Sequence, residues 1–256
     1  MAGRVKRKRQ IMAKKQDTFG PARKLSLSAS IRKRQKEGYF PVISEIKVRS
    51  DKEGDLLRGR DPVALALEMA QGPIAGISVV TEPSHFGGQI GLLRAIAAAV
   101  DLPVLHKDFI TTEQQIEESA ACGASVVLLI AAMIEAEFMT LLITKARDCG
   151  LETLVEVHSF AEIKKIEQLD FDLMGINNRD ITLFEVDDTD VGKTEELGRF
   201  CKGGRLLISE SSISTAAEVR RAGNSGADAV LVGTAVLKAT RIPDVLAELT
   251  SVGWPI

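Results

Sequence analysis

Aromatic side chains are scarce in this 256-residue chain, at 4% of positions, with one Trp and one Tyr. Core volume must therefore come from Ile, Leu, Val and Ala, the residues that fill a parallel barrel. Histidine and cysteine are also few, three of each. Cys122, Cys149 and Cys201 show no metal-ligand spacing, and their odd number argues for reduced thiols in a cytoplasmic protein. His85, His106 and His158 lie on separate segments without an H-E-x-x-H pair, so no metal site is expected. No apolar run approaches the roughly 18 residues needed to span a bilayer. The basic start lacks the apolar stretch of a secretory signal. No G-x-G-x-x-G follows the first strand candidate, which disfavours an open dinucleotide-binding sheet.

Charge balances overall at −2 but is unevenly placed. Residues 1–36 hold 13 Lys or Arg and one acid, Asp17, for +12; the remainder holds 20 basic and 34 acidic residues, for −14. Three readings of the basic stretch stand together. It is a solvated, partly helical extension, a positive lid for an anionic substrate, or a nucleic-acid arm. The last lacks interleaved aromatics.

From residue 41 onward, short apolar runs alternate with amphipathic segments. Strand candidates begin near Val42, Ala75, Pro103, Ser125, Glu152, Leu173, Leu206 and Asp228, which makes eight. Each is nearly continuously apolar, as a strand covered on both faces should be. Helical patterns fall at 62–69, 91–100, 112–121, 137–149, 159–168, 193–201, 214–222 and 243–250. Pro62 and Pro243 suit first helical turns, and Ser159 and Ser214 suit N-caps. Eight β–α units joined by right-handed crossovers close as a (β/α)8 TIM barrel. The expected organisation is a basic, helical N-terminal extension over residues 1–40, covering one barrel end, and a catalytic barrel over residues 41–256.

Chemistry in this fold gathers at the C-terminal strand ends. Ionisable residues collect there: Glu45 and Lys47 on strand one, His106, Lys107 and Asp108 on three, and Glu156 and His158 on five. Asn177 to Asp180 follow strand six, Ser209 to Ser211 close seven, and Gly233 and Thr234 close eight. Glu45 and Lys47, two apart, share a face. His106 points the other way from Lys107, outward to the helices, and His158 reads as a loop or capping residue. So many charges around one apolar barrel fit an anionic ligand or a catalytic network better than a structural ion-pair ring. Gly233 and the N–H groups after it form an expected anion site, where this fold commonly holds phosphate.

Six segments carry a resemblance. Pro41–Lys47, Ser78–Pro83, Pro103–Ile110, Leu154–Val157, Gly175–Asp180 and Ile208–Ser211 resemble, in order and spacing, the strand-end motifs of the indole-3-glycerol phosphate synthase family. That family converts 1-(2-carboxyphenylamino)-1-deoxyribulose 5-phosphate to indole-3-glycerol phosphate in tryptophan biosynthesis, losing carbon dioxide and water, without a cofactor. The resemblance implies Lys107 as general acid for ring closure and Glu156 as acid/base for dehydration. It implies Lys47 as substrate-binding and proton-assisting, and Glu45 as orienting both lysines. It also implies substrate contacts from Asn177, Arg179, Glu210, Ser211 and Phe109, and phosphate contacts from Ser50, Ser212, Gly233 and Thr234. A lysine buried among charges is expected to have a lowered pKa suited to proton donation. The family's serine-proline-serine turn is here Ser50-Asp51-Lys52, and its glycine after serine-glutamate-serine is Ser212. Gln89 stands in a strand-two loop that lacks the family's usual serine. These rim changes keep a second reading open, a phosphosugar-binding barrel isomerase or lyase with another substrate. A third reading is a non-catalytic nucleic-acid-associated protein. The synthase reading expects a phosphorylated small-molecule substrate, no nucleic-acid or membrane partner, and a monomer or weak homo-oligomer.

Overall fold

The computed structural model describes residues 25–179, 190–201 and 204–255. Eight strands form the barrel: β1 (Val42–Ile46), β2 (Gly76–Val80), β3 (Val104–Lys107), β4 (Val126–Ile130), β5 (Glu152–Val157), β6 (Leu173–Asn177), β7 (Leu206–Glu210) and β8 (Ala229–Val232). Each is parallel to its sequence neighbours, and β8 closes onto β1 through Val42–Val230 and Ser44–Val232. The fold is a (β/α)8 TIM barrel.

Helices α2 (Pro62–Met69), α3 (Ile90–Ala99), α4 (Glu113–Ala121), α5 (Ala136–Asp148), α6 (Phe160–Ile166), α7 (Gly192–Leu197), α8 (Ala216–Asn224), α9 (Thr234–Lys238) and α10 (Ile242–Thr250) follow the strands; α1 (Leu27–Lys36) precedes them. Short side chains stop the backbone donors at several starts: Asp61 accepts from Ala64 N, Thr112 from Gln115 N and Ser159 from Glu162 N. The expected cap at Ser214 moves one residue. Thr215 is the cap and forms a reciprocal box with Glu218, while Ser214 donates its N–H to the same carboxylate. The helical segment expected over 193–201 divides into α7 and a 3₁₀ turn at Gly198–Phe200.

Strand alternation decides what the barrel holds. Ile43, Leu105, Leu154, Leu173 and Leu206 belong to the apolar cluster inside, towards the N-terminal end. Two or four residues later on the same faces stand Glu45, Lys107, Glu156, Asn177 and Glu210, all towards the C-terminal mouth. The intervening side chains, such as Val42, Val104 and Val155, pack outward against the helices. A slip of one residue would exchange the two sets.

α1 closes the N-terminal mouth. Its Leu27 and Ile31 are 1% and 0% exposed and join the inner cluster. Gly76 is needed there, because a Cβ at that position would lie 2.8 Å from Leu27 Cδ1 and from Pro103 O. Glu152, at the start of β5, receives the helix: its carboxylate accepts from Ser26 Oγ at 2.8 Å, Leu27 N at 2.6 Å and Ser28 N at 3.2 Å. The rest of the expected extension, residues 1–24, lies outside the described residues. Among those described, no helix is long and apolar enough to cross a membrane.

Candidate active site

A cavity of about 490 Å³ opens at the C-terminal mouth. Glu45, Lys47, Lys107, Phe109, Glu156, Asn177, Arg179, Ser211, Ser212, Gly233 and Thr234 all line it. Of the residues given site roles by the resemblance, Ser50 and Glu210 do not. Ser50 Oγ accepts from Glu53 N within a small hairpin, Arg49–Ser50 with Gly54–Asp55, that follows β1. Glu210 is 0% exposed and sits behind Lys107. Asp180 lies outside the described residues.

The charged cluster in the cavity is built around Lys107. Its Nζ lies 3.3 Å from Glu156 Oε2 and 3.3 Å from Glu210 Oε2. Lys47 Nζ lies 3.3 Å from Glu45 Oε1, so the shared face of β1 produces a second pair. Two glycines make room for these acids. A Cβ at Gly175 would meet Glu210 Oε1 at 2.1 Å, and one at Gly233 would meet Glu45 Oε1 at 2.7 Å. Gly233 therefore serves Glu45 as well as the turn into α9.

Burial opposes charge on Lys107, but Glu156, Glu210 and Glu45 outweigh it, and the ammonium is held well above its ordinary range. The lowered value expected from burial alone is corrected here: two carboxylates within contact distance decide the sign. Burial likewise opposes charge on Glu156, yet Lys107, His158 and Asn177 together push it down. Glu210 moves up, because burial and the neighbouring Glu156 prevail over Lys107. Three groups thus divide into a cationic acid, an ionised carboxylate and a carboxyl that holds its proton.

The same cavity also presents an apolar surface. Leu128, Ile130, Leu231, Val80, Phe86 and Phe109 line it. Sequence reading missed most of these because they look like ordinary barrel filling. Their positions near the C-terminal ends of inward faces were the available signal. Arg179 Nε is buried without a hydrogen-bond partner among the described residues, while the Arg179 backbone N–H donates to Asn177 Oδ1 at 3.0 Å. At the rim, Ser211 and Ser212 adopt φ of 67° and 56°, the left-handed region that glycine favours. Lys238 and Glu53 pair at 2.7 Å across the same rim, joining α9 to the first loop.

His106 faces outward as expected, with Nδ1 2.7 Å from Ser119 Oγ on α4 and Nε2 2.7 Å from Thr81 Oγ1. His158 was read as a loop or capping residue. Its N–H does donate to Glu162 Oε2 at 2.9 Å, but its ring also reaches Glu156, with Nε2 3.3 Å from Oε1.

The sequence profile of indole-3-glycerol phosphate synthase matches residues 2–249. The chain belongs to the indole-3-glycerol phosphate synthase family. Relatives bearing that name include one from Pyrococcus furiosus, 42% identical over 222 residues, covering 87% of this chain and 95% of the relative. Another, from Thermococcus kodakarensis, is 40% identical and covers 88% and 97%. One from Exiguobacterium sibiricum is 38% identical over 250 residues, covering 97% and 95%. Among solved structures, 3-hexulose-6-phosphate synthase from Salmonella typhimurium superposes with a TM-score of 0.66 at 12% identity, covering 83% of this chain and 97% of that one. N-acetylmannosamine-6-phosphate 2-epimerase from Clostridium perfringens gives 0.61 at 17%, covering 83% and 93%. Both share the barrel alone. Indole-3-glycerol phosphate synthase is a decarboxylating carbon–carbon lyase, and membership favours it over the isomerase reading. The left-handed φ of Ser212 also explains why the family's usual residue there is glycine.

Proposed function

We propose that this barrel is an indole-3-glycerol phosphate synthase whose charged cavity residues perform ring closure and dehydration while the apolar lining holds the substrate's aromatic ring. The observation that carries the assignment of roles is the contact between Lys107 Nζ and Glu156 Oε2, 3.3 Å, made by residues 49 positions apart inside one cavity.

The chemistry follows from the substrate. The ring carbon bearing the carboxylate attacks the ribulose C2 carbonyl. A carbon–carbon bond forms and the carbonyl oxygen takes a proton from the Lys107 ammonium. The carboxylate then leaves as carbon dioxide, returning its electron pair to the ring. The C2 hydroxyl departs as water after a second protonation, assisted by Lys47, and Glu156 removes the proton whose loss gives the indole double bond. Lys107 is held charged and Glu156 ionised, which suits an acid and a base that work without a cofactor. Glu45 orients Lys47 directly. Glu210 steadies Lys107 from behind instead of forming the cavity wall.

Asn177 and Arg179 hold the carboxylate and hydroxyl region, and Arg179 Nε, without a hydrogen-bond partner among the described residues, suits that task. Phe109 and Ser211 bound the substrate. Ser212, Gly233 and Thr234 receive the phosphate at the rim, with Ser50 supporting the hairpin. Residues 41–256 act as the catalytic barrel and residues 1–40 as its cover. In this reading the chain works as a monomer or weak homo-oligomer, without nucleic acid.

Conversion of the carboxyphenylamino substrate, followed by indole fluorescence, tests the reading. Wild-type protein is expected to turn over, and Lys107→Met to lose activity by about 10²–10⁴-fold, the usual contribution of a positioned acid. Substrate affinity should stay within a small factor. A variant retaining a tenth of wild-type turnover would remove Lys107 from the acid's role.

A further inference from the structure

The two oxygens of Glu156 face different partners. Oε2 lies 3.3 Å from Lys107 Nζ, towards the cavity. Oε1 lies 3.3 Å from His158 Nε2. His158 follows two residues later, just past the end of β5, and its side chain is 7% exposed. The other ring nitrogen, Nδ1, lies 3.4 Å from Glu162 Oε2 on α6. Glu162 is itself fixed, since its Oε1 accepts from Ser159 Oγ at 2.9 Å and its Oε2 from His158 N at 2.9 Å. A carboxylate–imidazole–carboxylate chain thus runs from the helix start to the cavity, and His158 does not itself line that cavity.

We propose that His158, braced by Glu162, is a positioning residue for Glu156: its imidazolium holds Oε1, so that Oε2 alone is presented to Lys107 and the substrate. The inference rests on the synthase reading and deepens it. The physical reason is twofold. A carboxylate gripped at one oxygen cannot rotate its two oxygens freely, which fixes the geometry of proton transfer. A second cation also keeps Glu156 ionised while it lies within a buried cluster. Burial alone would discharge the imidazole, but Glu156 and Glu162 together push its pKa up to about 9. The contact with Glu156 is an ion pair without good hydrogen-bond alignment, so charge is the operative property.

The groups facing Glu156 are Lys107 from β3, Asn177 from β6, His158 from β5 and, as a like charge when ionised, Glu210 from β7. Those facing His158 are Glu156 and Glu162. Removing His158 therefore leaves Lys107 as the one cation in contact with Glu156 among the described residues.

The experiment compares wild type, His158→Leu, His158→Gln and Ser159→Ala, measuring kcat and KM against pH with the carboxyphenylamino substrate. His158→Leu is expected to lower kcat at least tenfold with KM within threefold, and to move the acidic limb of the kcat profile to higher pH. His158→Gln keeps a neutral donor, so it should recover part of kcat but leave the limb displaced. Ser159→Ala frees one Glu162 oxygen but leaves the His158 charge beside Glu156, so the limb should stay in place. If His158→Leu does not fold, His158→Gln carries the test. A wild-type limb position in that variant overturns the proposal, as does a wild-type profile in a folded His158→Leu. An NMR titration of the His158 ring supplies a readout apart from turnover. Its midpoint should fall in Glu156→Gln, and an unchanged midpoint also overturns the proposal. Wild-type protein inactive on this substrate would sink the synthase reading instead, while the ring titration would still report on the contact.

Discussion

At the residue scale, function here depends on which charge stands next to which. The pairing of Glu45 with Lys47, and the convergence of Lys107 and Glu156, were legible because strand alternation dictates them once the barrel is granted. The ionisation state of Lys107 was not. Burial and ion pairing act in opposite directions, and only the distances to Glu156 and Glu210 decide between them. His158 was missed for a related reason: its partner lies on its own strand, but a side chain at a strand end has no fixed direction in a sequence. Ser212 offers a test at this scale. At φ 56° a side chain costs about 1 kcal/mol relative to glycine. Ser212→Gly and Ser212→Ala both remove the hydroxyl, so their difference isolates the backbone. The glycine variant should be the more stable by about 1 kcal/mol in urea unfolding. Equal stabilities would mean that the turn carries no such strain.

At the element scale, the strands and the helices that follow them were readable from periodicity because each strand is covered on both faces and each helix on one. Boundaries moved by one or two residues where capping decides, as at Thr215. What the sequence could not reveal was how α1 docks. Its mean pattern is basic, and the acid that receives its first turn lies 125 positions away from Leu27. Glu152 satisfies three donors at the start of α1. Glu152→Ala should therefore cost about 1–2 kcal/mol, the value of a lost cap together with exposed donors. In a chain of this length that corresponds to a Tm lower by roughly 2–8 °C. The site lies at the opposite mouth, so kcat should be unchanged. A variant with wild-type Tm but reduced kcat would show that α1 communicates with the active site and does not merely close the barrel.

At the scale of the whole molecule, the same charge cluster that prepares catalysis sets how stability responds to pH. Glu156, Asp108 and Glu162 are held below their ordinary values in the fold, each despite opposing burial. Their contribution is present above the ordinary carboxylate value and is lost as pH falls through the lowered ones. His158 and Glu210 behave in reverse, since both bind their proton more tightly when folded. The His158 contribution is complete below its ordinary 6.5 and disappears as pH rises through about 9. That of Glu210 is complete only below 4.5 and erodes above it. The two sets leave a maximum on the mildly acidic side and a decline through neutral pH towards alkali. Each proton held only by the native state steepens that decline by about 1.4 kcal/mol per pH unit. Glu210→Gln replaces the protonated carboxyl with a neutral isostere, so its unfolding free energy, measured in urea between pH 5 and pH 8, should vary less with pH than that of wild type. His158→Gln should flatten the decline nearer pH 9. A Glu210→Gln curve parallel to wild type would mean that Glu210 is ionised beside Lys107, and the division of one proton between two acids would have to be abandoned.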